Sequence, residues 1–292
     1  VLLVLVLLLQ LATPAGKPNE PNVDSRLLES GEGTTLRKPT PNAREIKIVS
    51  YNIRWRAGAE LKEMARLLRE DPKVGGASIL ALQEVDRRKQ RTGNSDTAKT
   101  LADELGMHYV WTAPPSANAG DEEETGVTLL SVYPLTDVQR IVLPHPGPGR
   151  RRRVALGATV EIDGQQWRIY SAHAETRIPL DKKMEQYSAM LDDLKRYPAD
   201  MPAIVMGDFN TWEPTAGDKT TKLFSKAGFS TPFDGKRTFR RRVMLVPIEL
   251  RLDWMWLRGL DANGCGVNRE IEISDHFPIW TTVKPRVTTA KQ

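Results

Sequence analysis

A carboxylate and an amide, Asp208 and Asn210, stand two residues apart directly after the apolar run Ile204-Val205-Met206. Such a run reads as a buried strand, and Gly207 ends it. Side chains alternate along a strand, so Asp208 and Asn210 can face the same way. Taken alone, an Asp-x-Asn turn that only caps the strand reads the same. Four other segments change that balance. The run Ile46 to Ile53 delivers Asn52, Ile79 to Asp86 delivers Glu84, and Arg168 to His173 ends in an imidazole. Near the end, Ser274-Asp275-His276 sets a carboxylate beside an imidazole in a loop. Polar strand ends converging from distant parts of a chain are how α/β folds build active sites.

The ordered set Ser50-Tyr51-Asn52-Ile53, Leu82 to Asp86, Ser171-Ala172-His173, Gly207 to Thr211, Leu252-Asp253-Trp254 and Ser274-Asp275-His276 resembles the endonuclease/exonuclease/phosphatase superfamily, the DNase I-like metal-dependent phosphoesterases. The resemblance spans roughly residues 45 to 284. It implies an α/β fold, a four-layer α/β/β/α sandwich of two mixed β-sheets flanked by helices, with the site at one end of the sheets.

Hydrolysis of a phosphodiester needs an in-line water, neutralised phosphoryl oxygens and help for the leaving oxygen. A hard cation such as Mg²⁺ takes oxygen ligands and keeps several waters, so one or two carboxylates suffice. The resemblance implies Mg²⁺, or Mn²⁺ in its place, at Glu84, with Asn52 and Asp275 as further ligands, and leaves one metal or two open. It implies that Asp208 orients or deprotonates the water and that Asn210 hydrogen-bonds a phosphoryl oxygen. His276 would be base or phosphate contact with Asp253 as its carboxylate partner, a pairing that fixes the tautomer and raises the imidazole pKa. His173 would contact the phosphate or donate a proton. One of Arg152 and Arg153 would bind phosphate, and Gln186 would be structural. The chain departs from the pattern at Thr125, where DNase I-like members carry the glutamate that partners His173. It departs again at Val132, where the customary arginine is missing. Those departures leave the hydrolytic set intact and the substrate open.

The elements that must position these residues follow from periodicity. Strands are expected at 45–53, 77–83, 107–112, 126–132, 137–143, 153–162, 166–173, 202–207, 251–257, 265–272 and 278–284. Helices are expected at 59–70, 95–105, 181–197 and 217–227. Leu61, Met64, Ala65 and Leu68 keep helical spacing, as do Met184, Tyr187, Leu191 and Leu194, and both stripes read as core. Trp254 and Trp256 alternate with Asp253 and also read as core, whereas Trp55 and Trp212 lie close behind motif residues.

Composition of 40% hydrophobic and 27% charged residues fits a globular protein rather than a disordered one. Residues 1–15 read as a signal peptide, with an uncleaved membrane anchor as the rival, because the apolar run of residues 1–12 is too short to span a bilayer. Export to the periplasm or outside is the expectation. Residues 16–44 read as a flexible linker, 45–284 as the catalytic domain and 285–292 as a tail. Cys265 is the only cysteine, so no internal disulfide forms and the core must supply stability. The formal charge of +5 is modest, yet Arg150 to Arg153, Arg240 to Arg242 and the Arg87–Arg91 loop flank the expected site. A polyanionic substrate, nucleic acid, is one reading of that charge, and solvated loops are the other. A lipid or small phosphoester is the alternative substrate, and a non-catalytic binding module on the same scaffold the remote one. No stable protein partner is implied, and a monomer is expected.

Overall fold

A computed structural model describes residues 25–41, 45–115, 124–233, 235–244 and 246–286. The expected signal peptide and most of the expected tail lie outside them. The apolar runs form strands β1 (Leu28–Glu32), β2 (Ile46–Asn52), β3 (Ile79–Arg87), β4 (His108–Thr112), β5 (Glu124–Ser131), β6 (Thr136–Val142) and β7 (Val154–Ile162). They continue as β8 (Gln165–His173), β9 (Ala203–Asp208), β10 (Phe239–Val243), β11 (Val246–Leu250), β12 (Asp253–Arg258), β13 (Leu260–Val267) and β14 (Ile279–Pro285). Helices α1 (Gly58–Glu70), α2 (Thr97–Leu105), α3 (Leu180–Leu194) and α4 (Ala216–Lys226) fall where apolar residues recur at helical spacing.

A seven-stranded sheet runs β1-β4-β5-β3-β2-β14-β13, and a five-stranded sheet runs β12-β9-β8-β7-β6. Both are mixed, with β2–β3 and β8–β9 parallel and the other pairs antiparallel. The sheets face each other across one apolar cluster that includes Leu82, Leu129, Leu156, Ile169 and Met206. Leu61, Met64, Ala65 and Leu68 of α1 and Leu101 of α2 join that cluster. On the other side, Tyr187, Met190 and Leu194 of α3 and Phe224 of α4 cover the five-stranded sheet. The result is the expected four-layer sandwich. Trp254 and Trp256 stack at 4.9 Å within the second cluster, as core residues. Each fully buried aliphatic or aromatic side chain contributes about 1.5–3 kcal/mol, so these clusters supply the stability that a lone cysteine cannot.

Three expectations fail. The linker reading of residues 16–44 does not hold for Leu28–Glu32, which pairs in register with β4 as an edge strand. Leu27 is buried, and the Glu29 carboxylate accepts hydrogen bonds from Arg87 and Tyr109, so the segment is tied down by packing and charge. The strand expected at 265–272 runs instead from Leu260 to Val267, and beyond it the side chain of Asn268 bonds Asp71 at 3.0 Å. A hairpin, β10–β11, forms where no strand was expected and pairs with neither large sheet.

Candidate active site

Sheet register brings the chemistry together. His173 ends β8 and stands opposite Asp208 at the end of β9, while Asp253 opens β12 opposite the same Asp208. Three polar residues therefore lie side by side across adjacent strands. Gly207 makes the close pairing feasible: a Cβ there would sit 2.0 Å from the Ala172 carbonyl, and its φ of 139° lies in a region side chains avoid. From the other sheet, Asn52 ends β2 and donates through Nδ2 to Asp208 Oδ2 at 3.0 Å and to Glu84 Oε1 at 3.2 Å. One amide thus bridges carboxylates from two sheets.

Glu84 leaves the β3–β5 ladder at a register shift between Gln83 and Val85, with φ of 56°. A bulge of this kind re-aims one side chain out of the pleat. Asn210 has φ of 52°, and its backbone N–H donates to Asp208 Oδ1 at 2.9 Å. Arg54 and Trp55 of the same cleft also have positive φ, and four such non-glycine residues in one site are strain that the surrounding structure must hold in place. The holding groups are visible around Asn210. Its Nδ2 donates to the Ala174 carbonyl, and the fully buried Lys183 donates to the Asn210 carbonyl at 2.9 Å while pairing with Glu213 at 2.8 Å.

His276 donates from Nδ1 to Asp253 Oδ2 at 2.8 Å, which turns Nε2 towards Asp208 Oδ2 at 3.7 Å. Burial alone would lower the His276 pKa, but the Asp253 and Asp208 carboxylates prevail and push it up to about 10. Burial raises Asp208 to about 7, with the His276 charge opposing. His173 goes the other way: burial, then Arg153, His276 and Arg151, hold it well below the usual histidine range. Its tautomer follows, because Arg153 can only donate. Arg153 Nη1 lies 3.3 Å from His173 Nδ1, so the proton sits on Nε2, 3.6 Å from Asp208 Oδ2. The site thus pairs a charged imidazole with a neutral one on either side of one carboxylate.

Most sequence-expected residues converge. Glu84, Arg153, His173, Asp208, Asn210, Asp275 and His276 line one cleft of about 640 Å³, with Asn52 and Asp253 packed beneath it. Trp55 and Trp212 stand on its rim, the latter 51% exposed. Arg152 is not part of it. It is exposed, whereas its neighbour Arg153 turns inward because the buried Glu175 carboxylate holds it at 3.2 Å. Asn52 turns its amide nitrogen to the carboxylates, and its Oδ1 accepts from the Arg54 N–H at 3.1 Å. Asp275 pairs with Arg54 at 3.1 Å at the cleft mouth. Thr125 and Glu124 lie elsewhere: Thr125 bonds Asp86, and Glu124 forms a buried pair with Arg87.

Two site residues were not read from the sequence. Glu175 clamps Arg151 and Arg153, and its backbone N–H donates to Gln186 Oε1, which gives Gln186 its structural role. Lys183 supports the Asn210 loop. Glu175 stands two residues beyond His173, the one signal that could have pointed to it.

For a cation, the oxygen-rich donors fit. One atom each from Asp208, Asp253 and His276 lies within 4.8 Å of the others, the one such grouping among the described residues, and with His276 charged its donors are the two carboxylates. Asp253 Oδ1 is buried there without a hydrogen-bond partner. Glu84 and Asp275 belong to no such three-residue group among the described residues, so a cation they held would complete its shell with water.

Two sheets packed face to face, with carboxylates and imidazoles gathered at their strand ends, define a hydrolase fold of the phosphoesterase type. The family model of the Endonuclease/Exonuclease/phosphatase family matches residues 49–276, and the chain belongs to that family. Its members are phosphoester hydrolases that depend on divalent metals. No curated protein matches the chain. Among solved structures, it is similar to an endonuclease/exonuclease/phosphatase from Beutenbergia cavernae at 18% identity and TM-score 0.63, covering 83% of this chain and 72% of that one. It is similar to the catalytic domain of human Nocturnin with bound sulfate at 22% identity and TM-score 0.62, covering 83% and 94%. It is also similar to D. rerio TDP2 complexed with single-strand DNA product at 15% identity and TM-score 0.61, covering 82% and 99%. At these identities the likeness speaks to the fold.

Proposed function

We propose that the protein is a Mg²⁺-dependent phosphodiesterase that hydrolyses its substrate by in-line attack of water. One observation carries the reading: Asp208 lies between His173, His276 and the Asn52–Glu84 bridge at the floor of one cleft. Glu84 and Asp275 would hold Mg²⁺, with Mn²⁺ able to substitute. When bound, the cation neutralises phosphoryl oxygens and polarises the phosphorus centre. The chain's own groups do the rest. Asp208 orients the attacking water and takes its proton, which a carboxyl raised to about 7 can do at neutral pH. His276, held charged by Asp253, and Arg153 stabilise the charge that develops on the phosphoryl oxygens. The free N–H of Asn210 Nδ2 and the Nε2–H of His173 are the remaining donors to phosphate or leaving oxygen.

Nucleic acid is the first substrate reading, supported by Arg54 and Arg241 on the cleft wall and by the exposed Trp212 ring on its rim, where a base can stack. A phosphoester carrying an apolar group is the second, favoured by Phe239, Leu250 and Leu252, which also line the cleft. Export is part of the proposal and rests on the apolar residues 1–12. The test is nicking of supercoiled plasmid with Mg²⁺, with EDTA and Asp208→Ala controls. Nicking lost in both controls supports the nuclease reading. Absence of nicking in a preparation that still cleaves bis-(p-nitrophenyl) phosphate moves the substrate to lipid or small phosphoesters.

A further inference from the structure

Three of the five exposed large hydrophobic side chains among the described residues sit on the β10–β11 hairpin: Met244 at 93%, Val246 at 64% and Ile248 at 37%. Soluble surfaces scatter such residues singly, and a cluster on one projecting element marks a contact surface. The hairpin is joined to the rest of the fold at its base. Phe239 bridges to His276 and packs its ring 4.9 Å from that imidazole, and the Arg240 N–H donates to the Asp275 carbonyl. Beyond this base it pairs with neither large sheet.

Its register sorts the side chains. Phe239 stands opposite Leu250 and Arg241 opposite Ile248, and Val243 stands opposite Val246. These positions share one face. Phe239, Arg241 and Leu250 line the catalytic cleft, so that face starts inside the cleft and runs outward to apolar residues at the tip. Arg241 and Arg242 are exposed and have no ion-pair partner among the described residues, since Glu272 and Glu249, which share a surface pocket with Arg242, pair with Arg240 and Arg269. Lys236 and Arg237, also exposed, precede the hairpin.

An apolar tip collared by unpaired cations matches one kind of surface: apolar side chains below the headgroups and arginines at the anionic phosphates. We infer that the β10–β11 hairpin docks the protein on an anionic lipid surface, with Met244, Val246 and Ile248 in the acyl boundary and the cleft mouth facing the headgroups. A nucleic acid would use the arginines and leave the apolar tip in water. The inference stands apart from the hydrolytic reading, and its test reads no catalysis.

The test uses the full chain with Cys265→Ser and Met244→Cys, labelled at residue 244 with an environment-sensitive NBD fluorophore. A control carries the label through Gln166→Cys, at the end of β8 remote from His173. Both proteins share residues 1–12, so binding through that apolar run would not light residue 244 alone. On vesicles of phosphatidylcholine with phosphatidylglycerol, the expected result is a blue shift and several-fold brightening at 244 and neither at 166. Arg241→Glu with Arg242→Glu should remove the effect. Unchanged emission at 244 overturns the inference, as does a shift of equal size on pure phosphatidylcholine. A shift that grows with protein concentration without lipid overturns it in favour of pairing between copies. A shift with duplex DNA but not with vesicles overturns it in favour of a nucleic-acid surface.

Discussion

Asp253→Asn isolates the group that holds His276 in its charged form. Asp253 Oδ2 accepts from His276 Nδ1 at 2.8 Å, and both side chains are buried. The rise of the imidazole pKa from 6.5 to about 10 amounts to about 5 kcal/mol of preference for the charged form, shared between Asp253 and Asp208. Breaking a buried pair costs about 3–5 kcal/mol when one charge is left unpaired. An asparagine keeps the shape and one hydrogen bond, so about 3 kcal/mol is expected at pH 7. The sign follows from linkage. A group with a raised folded pKa stabilises fully below its unfolded pKa, and that contribution is lost as pH rises through the folded value. The gap between wild type and variant should therefore be widest below about pH 6.5 and narrow as pH passes about 10. Urea unfolding across that range measures the gap, and NMR titration of the His276 ring should show its pKa falling below 7 in the variant. Turnover should fall by about 10²–10³-fold at pH 7, the range for losing one group that stabilises charge in the transition state. A variant whose imidazole still titrates near 10, or a stability gap that widens with pH, would refute the reasoning.

Three further outcomes follow from the same geometry. Glu84→Gln should raise the Mg²⁺ concentration needed for half-maximal activity by at least an order of magnitude while leaving the melting temperature nearly unchanged; an unaltered metal titration would remove Glu84 from the metal site. Gly207→Ala should destabilise by about 3 kcal/mol or more, because the added Cβ meets the Ala172 carbonyl at 2.0 Å, and a loss below about 1 kcal/mol in denaturant unfolding would contradict that clash. Arg87→Met should cost about 3–5 kcal/mol by removing the guanidinium that pairs with the buried Glu124 carboxylate and with Glu29, and it should expose residues 28–32 to proteolysis; unchanged protease resistance would show that β1 is held by other means.

The sandwich was legible because its central strands are apolar runs and its helices keep strict spacing. The site was legible because strand ends carry its chemistry: Asp208, His173 and Asp253 need only sheet register to meet. What was not legible depends on conformation that no pattern encodes. The bulge that re-aims Glu84 leaves no mark in Leu82 to Asp86, and Asn52 alone cannot reveal which side of its amide faces the carboxylates. Arg152 and Arg153 are chemically identical; only Glu175 distinguishes them. β1 carries Gly31 and two glutamates, the composition of a linker, yet an edge strand needs few apolar residues when its partner strand is buried. The hairpin was hidden by the arginine run, which reads as solvated loop, and by Pro247, which argues against a strand.

Hydrolysis of bis-(p-nitrophenyl) phosphate by the wild type and by Asp208→Ala, each with Mg²⁺ and with EDTA, tests the central claim most directly. Metal-dependent turnover in the wild type that drops by several orders of magnitude in a folded Asp208→Ala protein is the predicted result. Turnover that survives either EDTA or the loss of the Asp208 carboxylate would contradict it.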